Sequence, residues 1–126
     1  MAQQPRHILV VDDDATVRQI CRRILHSAGY QTHEASDGSA ALDFVRESPD
    51  RPHLVVSDIV MPRMNGVQLL EALSVLYPGL PILLMSAYTI EALREQGIDV
   101  PCGLLAKPFT PEHLLSQVWR CLYPLG

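Results

Sequence analysis

Short, uniformly apolar runs alternate along the chain with longer stretches of helical period, and Gly or Pro stands between most of them. Ile8-Leu9-Val10-Val11 is apolar and largely β-branched, the pattern of a parallel strand covered on both faces. From Ala15 the period changes. Val17, Ile20, Cys21, Ile24, Leu25 and Ala28 recur at helical steps opposite Arg18, Arg22 and Arg23, which predicts an amphipathic helix closed by Gly29. Tyr30 to Ala35 alternates weakly, as an edge strand would, and Asp37-Gly38-Ser39 then opens a helix through Ala41, Leu42 and Val45. Leu54-Val55-Val56 is expected as a third strand, followed by a loop from Asp58 to Gly66 and a helix from Val67 to Tyr77. Pro81 to Met85 predicts the fourth strand, Thr89 to Gln96 a short helix ended by Gly97, and Gly103 to Ala106 the fifth strand. The last helix is expected to begin near Thr110 with Pro111 in its first turn. It buries Leu114, Leu115, Val118, Cys121 and Leu122 and carries Trp119 at the margin of that face.

Five strands alternating with five helices predict an α/β sandwich around a parallel sheet with right-handed crossovers. In such sheets ligands sit beyond the carboxyl ends of the strands. The 126 residues, 48% hydrophobic and 19% charged, have the length and composition of one ordinary domain. A net charge of −4 leaves no chain-wide basic field for nucleic acid or an anionic membrane. The polar start, Met1 to Arg6, precedes only a short apolar run, so neither a signal peptide nor a membrane span is expected and the cytoplasm is the default location. Cys21, Cys102 and Cys121 form an odd set without a Cys-x-x-Cys pair, which fits reduced, buried and inert thiols. His7, His26, His33, His53 and His113 show no metal-ligand spacing and receive no role.

Chemistry gathers at the predicted strand ends. The first strand runs into Asp12-Asp13-Asp14, the third into Asp58, the fourth into Ser86-Ala87 and the fifth into Lys107-Pro108. Singly, an Asp there is an ordinary turn or helix-capping residue, and Asp13 or Asp14 can cap the first helix. Together they describe one edge of one sheet. Lys107 is the only lysine, the other nine basic residues being arginines, and it follows an apolar strand directly. Carboxylates converging within about 5 Å repel by roughly 3 kcal/mol per pair at an effective dielectric of 20, so cationic compensation is required. Lys107 supplies one charge, and a hard divalent ion such as Mg²⁺, bound by few protein oxygens and water, supplies the rest. Such a cluster suits a phosphoryl group, with Asp58 as the attacking carboxylate, the Ser86 hydroxyl donating to a phosphoryl oxygen and the small Ala87 leaving room for the donor.

At these residues the sequence resembles the receiver domain of two-component response regulators, the family of the single-domain chemotaxis regulator. The resemblance covers the chain from about residue 6 to residue 122. It rests on Ile8 to Asp14, on Asp58-Ile59-Val60-Met61-Pro62-Arg63-Met64-Asn65-Gly66, on Met85-Ser86-Ala87 and on Lys107-Pro108-Phe109. It implies a flavodoxin-like, doubly wound five-stranded sheet of order 2-1-3-4-5 flanked by five helices, and one receiver domain over 1–126. It also implies Mg²⁺ or Mn²⁺ held directly by Asp13, through water by Asp12, and by the Asp58 carboxylate and the Val60 carbonyl. The implied donor is a phosphohistidine on a sensor histidine kinase or a histidine phosphotransfer protein, and the implied output is an altered contact with a downstream protein. A cis peptide before Pro108 and a homodimer through the fourth helix, fifth strand and fifth helix belong to the same expectation. The stretches Met85 to Tyr88 and Leu104 to Phe109 resemble receivers fused to hybrid histidine kinases.

The chain departs from the family pattern at Leu104, where many receivers carry an aromatic residue that swings inward on phosphorylation. Output is therefore expected through the Ser86-containing loop and the fourth helix, or the domain acts as a phosphate sink. Val60 and Tyr88 occupy positions that tune water access in this family. Both are bulky and lack a base, which predicts slow self-dephosphorylation. Rival readings fare worse. A dehalogenase-type hydrolase wants a second Asp two residues after the nucleophile, where Val60 stands; a flavin or dinucleotide site wants a Gly-rich loop in place of three acids. The remaining alternative is a receiver-like scaffold that is never phosphorylated, for which clustering repelling acids brings no benefit.

Overall fold

The computed structural model describes residues 5–100 and 102–124; the polar Met1 to Gln4 segment lies outside the described residues. Ten elements follow in strict alternation: β1 (His7–Val11), α1 (Ala15–Ser27), β2 (Gln31–Ala35), α2 (Gly38–Glu47), β3 (Leu54–Asp58), α3 (Gly66–Leu76), β4 (Ile82–Ser86), α4 (Ile90–Glu95), β5 (Leu104–Ala106) and α5 (Pro111–Leu122). The five strands form one parallel sheet of order β2-β1-β3-β4-β5, the arrangement expected of a doubly wound fold.

Alternation along the central strands divides the core. Leu9, Val11, Val55 and Leu84 point to one face, where α2, α3 and α4 deliver Ala41, Leu42, Val45, Leu69, Leu73 and Leu93. Ile8, Val10, Leu54, Val56, Leu83 and Met85 point to the other, where α1 and α5 deliver Cys21, Leu25, Leu114, Val118 and Cys121. Each fully buried aliphatic side chain contributes about 1.5–3 kcal/mol of transfer free energy, and the stretches Ile8 to Val11, Leu54 to Val56 and Ile82 to Met85 inside β1, β3 and β4 are apolar throughout.

Local chemistry fixes where the helices begin. Asp14, Asp37, Thr89 and Thr110 cap α1, α2, α4 and α5 through side-chain oxygens that accept from backbone N–H groups. Asn65 and Gln68 form a reciprocal capping box on α3. The predicted stripe of α1 is broader than the observed one: Ile20 is half exposed and Ala28 is the C-cap, so the buried face is Cys21 and Leu25 flanked by Val17 and Ile24. On α5, Leu115 and Leu122 are only partly buried and Trp119 is exposed. Predicted ends shift by a residue at β2, α3, α4 and β5, where caps and turns claim Tyr30, Tyr77, Thr89 and Gly103, and β4 moves by one residue to Ile82–Ser86; β3 runs two residues past Val56, so Asp58 ends the strand instead of opening the loop.

Candidate functional site

Register brings the strand ends together. Val11 pairs with Ser57 and Asp58 with Met85, so the residues following β1 lie beside the last residue of β3, with Ser86 and Lys107 next along the same edge. Asp12, Asp13 and Asp58 each offer a carboxylate oxygen, and the three oxygens lie within 4.8 Å of one another. Asp12 is 1% exposed, Asp58 is half-buried and Asp13 is open to solvent. Lys107 reaches in from beyond β5, its Nζ standing 3.1 Å from Asp12 Oδ2 and 3.3 Å from Asp58 Oδ1. Asp14 turns away and caps α1, its Oδ1 accepting from the Thr16 N–H at 2.9 Å, which divides the acidic triplet into two pocket residues and one structural residue.

The charges do not balance. Three carboxylates face one ammonium, a deficit of two positive charges that matches a divalent cation. Burial, with the Asp12 charge second, raises the Asp58 carboxyl above the usual carboxylate range despite the opposing pull of Lys107. Desolvation works against the Lys107 ammonium, but its hydrogen bond to Asp12 and the two carboxylate charges outweigh it and hold its pKa above the usual lysine value. The Lys107 shift reports the excess negative charge, while that of Asp58 reports burial first and the Asp12 charge second. The donor set is hard oxygen throughout, partly open to water, and fits Mg²⁺ or Mn²⁺ rather than a softer metal. Behind the cluster, burial and then the Asp12 charge push the Cys21 thiol up to about 11, so this cysteine is an inert core residue.

The remaining predicted residues surround the cluster. Ser86, 2% exposed, accepts the Tyr88 N–H at its hydroxyl oxygen (2.8 Å) and the Lys107 N–H at its carbonyl (2.8 Å), which ties the β4 loop to the β5 end. Ala87, Val60, Tyr88 and Pro108 are exposed at the rim, and the Lys107–Pro108 peptide is cis. Leu104 packs part-buried against the core near Leu84 and presents no aromatic ring.

Three supports were not singled out from the sequence. Arg18 donates from Nη1 to the Asp12 carbonyl (2.6 Å) while pairing through Nε with Glu34 (3.0 Å), fixing the turn after β1. Arg63, at φ +63°, clamps Asp37 through Nε (2.8 Å) and Nη2, so the loop after Asp58 is latched to the cap of α2. Gly66 lies where a Cβ would come within 2.3 Å of the Asp58 carbonyl oxygen. Its place was not readable, because the sequence puts Gly66 at the end of a loop, where Gly is ordinary, and only the structure makes it the first residue of α3.

Comparison with known proteins gives the class. Residues 8–119 match the family model described as the response regulator receiver domain, and the chain belongs to that family. It is 41% identical over 115 residues to the response regulator MprA of Mycolicibacterium vanbaalenii, covering 90% of this chain and 49% of that protein. The chain thus spans about half the length of the curated relatives it matches. Among solved structures, the chemotaxis protein CheY4 of Vibrio cholerae superposes with a TM-score of 0.84 at 33% identity, over 94% of this chain and all of that one. The receiver domain of a signal transduction histidine kinase from Syntrophus aciditrophicus gives 0.82 at 29% identity, over 93% of this chain and 89% of that one. Membership implies signalling through phosphorylation, and no helix among the described residues is long and apolar enough to cross a membrane.

Proposed function

We propose that the chain is a single receiver unit, with a core of about residues 6–122, that accepts a phosphoryl group on Asp58 from a phosphohistidine of a sensor histidine kinase or histidine phosphotransfer protein. The observation that carries this reading is the meeting of Asp12, Asp13 and Asp58 within 4.8 Å, opposite Lys107. A pure scaffold gains nothing from this arrangement, since an exposed salt bridge elsewhere would contribute as much without the repulsion.

An Asp58 oxygen attacks the phosphorus in line while the P–N bond to the donor imidazole breaks, and the imidazole nitrogen takes the leaving electron pair. Lys107 Nζ, already within reach of Asp58 Oδ1, neutralises one phosphoryl oxygen, and the buried Ser86 hydroxyl donates to another. The exposed Ala87 leaves the approach open. Asp13 and Asp58 carboxylates, the Val60 carbonyl and, through water, Asp12 would hold Mg²⁺ or Mn²⁺, whose charge supplies Lewis-acid neutralisation of the phosphoryl oxygens. The chain is a phosphoacceptor that assists its own modification rather than a turnover enzyme, and its product is an altered surface for a downstream protein.

Incubation with Mg²⁺ and a small phosphodonor, followed by intact mass, tests this reading. One added phosphoryl on the wild type, absent from Asp58→Asn and abolished by chelation, is the expected result. An equal gain in Asp58→Asn, or no gain with donor and metal both present, overturns it. A second reading, that the domain serves mainly as a phosphate sink, is favoured by Leu104, which has no ring to swing inward.

A further inference from the structure

At the opposite pole, beyond the amino ends of β1, β3 and β4, the surface opens into a cleft of about 1270 Å³ that the phosphorylation chemistry does not use. Its lining includes three arginines, Arg6, Arg51 and Arg120, and no Asp or Glu, although the chain has fourteen acidic residues and a net charge of −4. None of the three cleft arginines forms an ion pair among the described residues; Arg23, Arg46 and Arg94 form none either, so what sets the cleft apart is three arginines gathered in one lining that holds no acid. Two of them rest on aromatic faces: the Arg51 guanidinium carbon is 4.1 Å from the Tyr77 ring centre and that of Arg6 is 5.3 Å from Tyr123. Stacking holds a guanidinium by its face and leaves its N–H edges free for bidentate bonds to carboxylates. Trp119, the only tryptophan of the chain, is 58% exposed in the same wall, with its ring 4.3 Å from Tyr123. Pocketed aromatics and arginines of this kind are what interface anchors are made of.

We propose that this cleft binds an acidic peptide segment of a partner protein, with glutamate or aspartate side chains on Arg6, Arg51 and Arg120 and an apolar side chain against Trp119. The volume exceeds the roughly 300–1,000 Å³ usual for small ligands and the cleft is not enclosed, which suits a peptide segment better than a compact molecule. Because β1, β3 and β4 are each five residues long, the cleft stands about 17 Å from the Asp58 edge, so a peptide docks without covering the phosphoryl site. The proposal is independent of phosphorylation on Asp58.

Trp119 is its own reporter. The test titrates the full chain with a glutamate–phenylalanine copolymer and follows tryptophan emission, with calorimetry as a second readout. Expected are a saturable emission change that weakens with added salt, an affinity about tenfold lower in Arg51→Glu/Arg120→Glu, as two exposed ion pairs would contribute, and no loss in Arg23→Glu on α1 or in Asp58→Asn. A lysine–phenylalanine copolymer is expected to leave the emission unchanged. The proposal is overturned if the acidic copolymer does not bind, if the double charge reversal binds it as well as wild type, or if a nucleoside triphosphate binds tighter than the copolymer.

Discussion

Asp58 carries opposing demands at the scale of one side chain. It must be ionised to attack, yet burial and the neighbouring Asp12 hold its pKa above the ordinary value, so its charge disfavours the folded state. The sign follows from linkage: with the folded pKa above the unfolded one, the penalty is complete above the folded pKa and disappears as pH falls through it toward the unfolded value. Asp58→Asn is therefore expected to raise the melting temperature in chelator at neutral pH, with the difference from wild type vanishing in acid. A calorimetric scan in which the variant melts lower at neutral pH contradicts that charge balance. On the proposed reading, the rim residues govern the access of water. Val60 and Tyr88, 66% and 58% exposed, bring bulk and no base to the approach, and their replacement by Gly and Ala is expected to shorten the lifetime of the phosphorylated form severalfold, read as phosphate release over time. Asp12, Ser86 and Lys107 were legible individually because each directly follows an apolar run, and Asp58 because it stands two residues after one, past Ser57. The division of labour between Asp13 and Asp14 was legible only through the family resemblance, since both follow β1 and the turn geometry alone makes Asp14 the cap.

Among elements, the loop between β3 and α3 does the positioning. The Gly66 N–H donates to the Ile59 carbonyl at 2.8 Å and Gly38 N–H donates to the Met64 carbonyl at 2.9 Å, while Arg63 grips Asp37. Backbone thus packs against backbone at both glycines, where an added Cβ would meet an oxygen at 2.3 Å and 2.6 Å. Gly66→Ala is expected to cost about 1–3 kcal/mol in urea unfolding and to slow phosphoryl acceptance together with it. Unchanged stability would mean that the loop has room the structure does not give it. The helix and strand order was readable because apolar runs and helical periods alternate so regularly. The Arg63–Asp37 latch was not, because its partners are 26 residues apart in sequence. The same holds for His7, which stacks on His33 of β2 and on His53, with His7 Nδ1 3.0 Å from His33 Nε2. Burial leads in lowering the pKa of both His33 and His53.

Over the whole molecule, the sheet separates two poles. The carboxyl edge holds the acidic cluster with its single ammonium; the amino edge holds the arginine-lined cleft. On the proposed reading, the phosphorylation signal leaves the first pole through the β4 loop, since Leu104 has no ring to swing inward. If the Ser86 hydroxyl is drawn to a phosphoryl group, it gives up the Tyr88 N–H at its oxygen, and the loop leading into α4 moves with it. Amide spectra of the phosphorylated and free forms are expected to differ most from residue 86 through α4, with small changes along β5 and α5. Changes confined to the immediate neighbours of Asp58 would instead support the sink. The most direct test of the central claim reduces the phosphorylated protein with borohydride, which converts an aspartyl phosphate to homoserine, and maps the altered residue by peptide mass. The account predicts homoserine at position 58 alone, formed only when Mg²⁺ or Mn²⁺ accompanied the donor; conversion at another acidic residue, or a stable phosphate on a histidine, would contradict it.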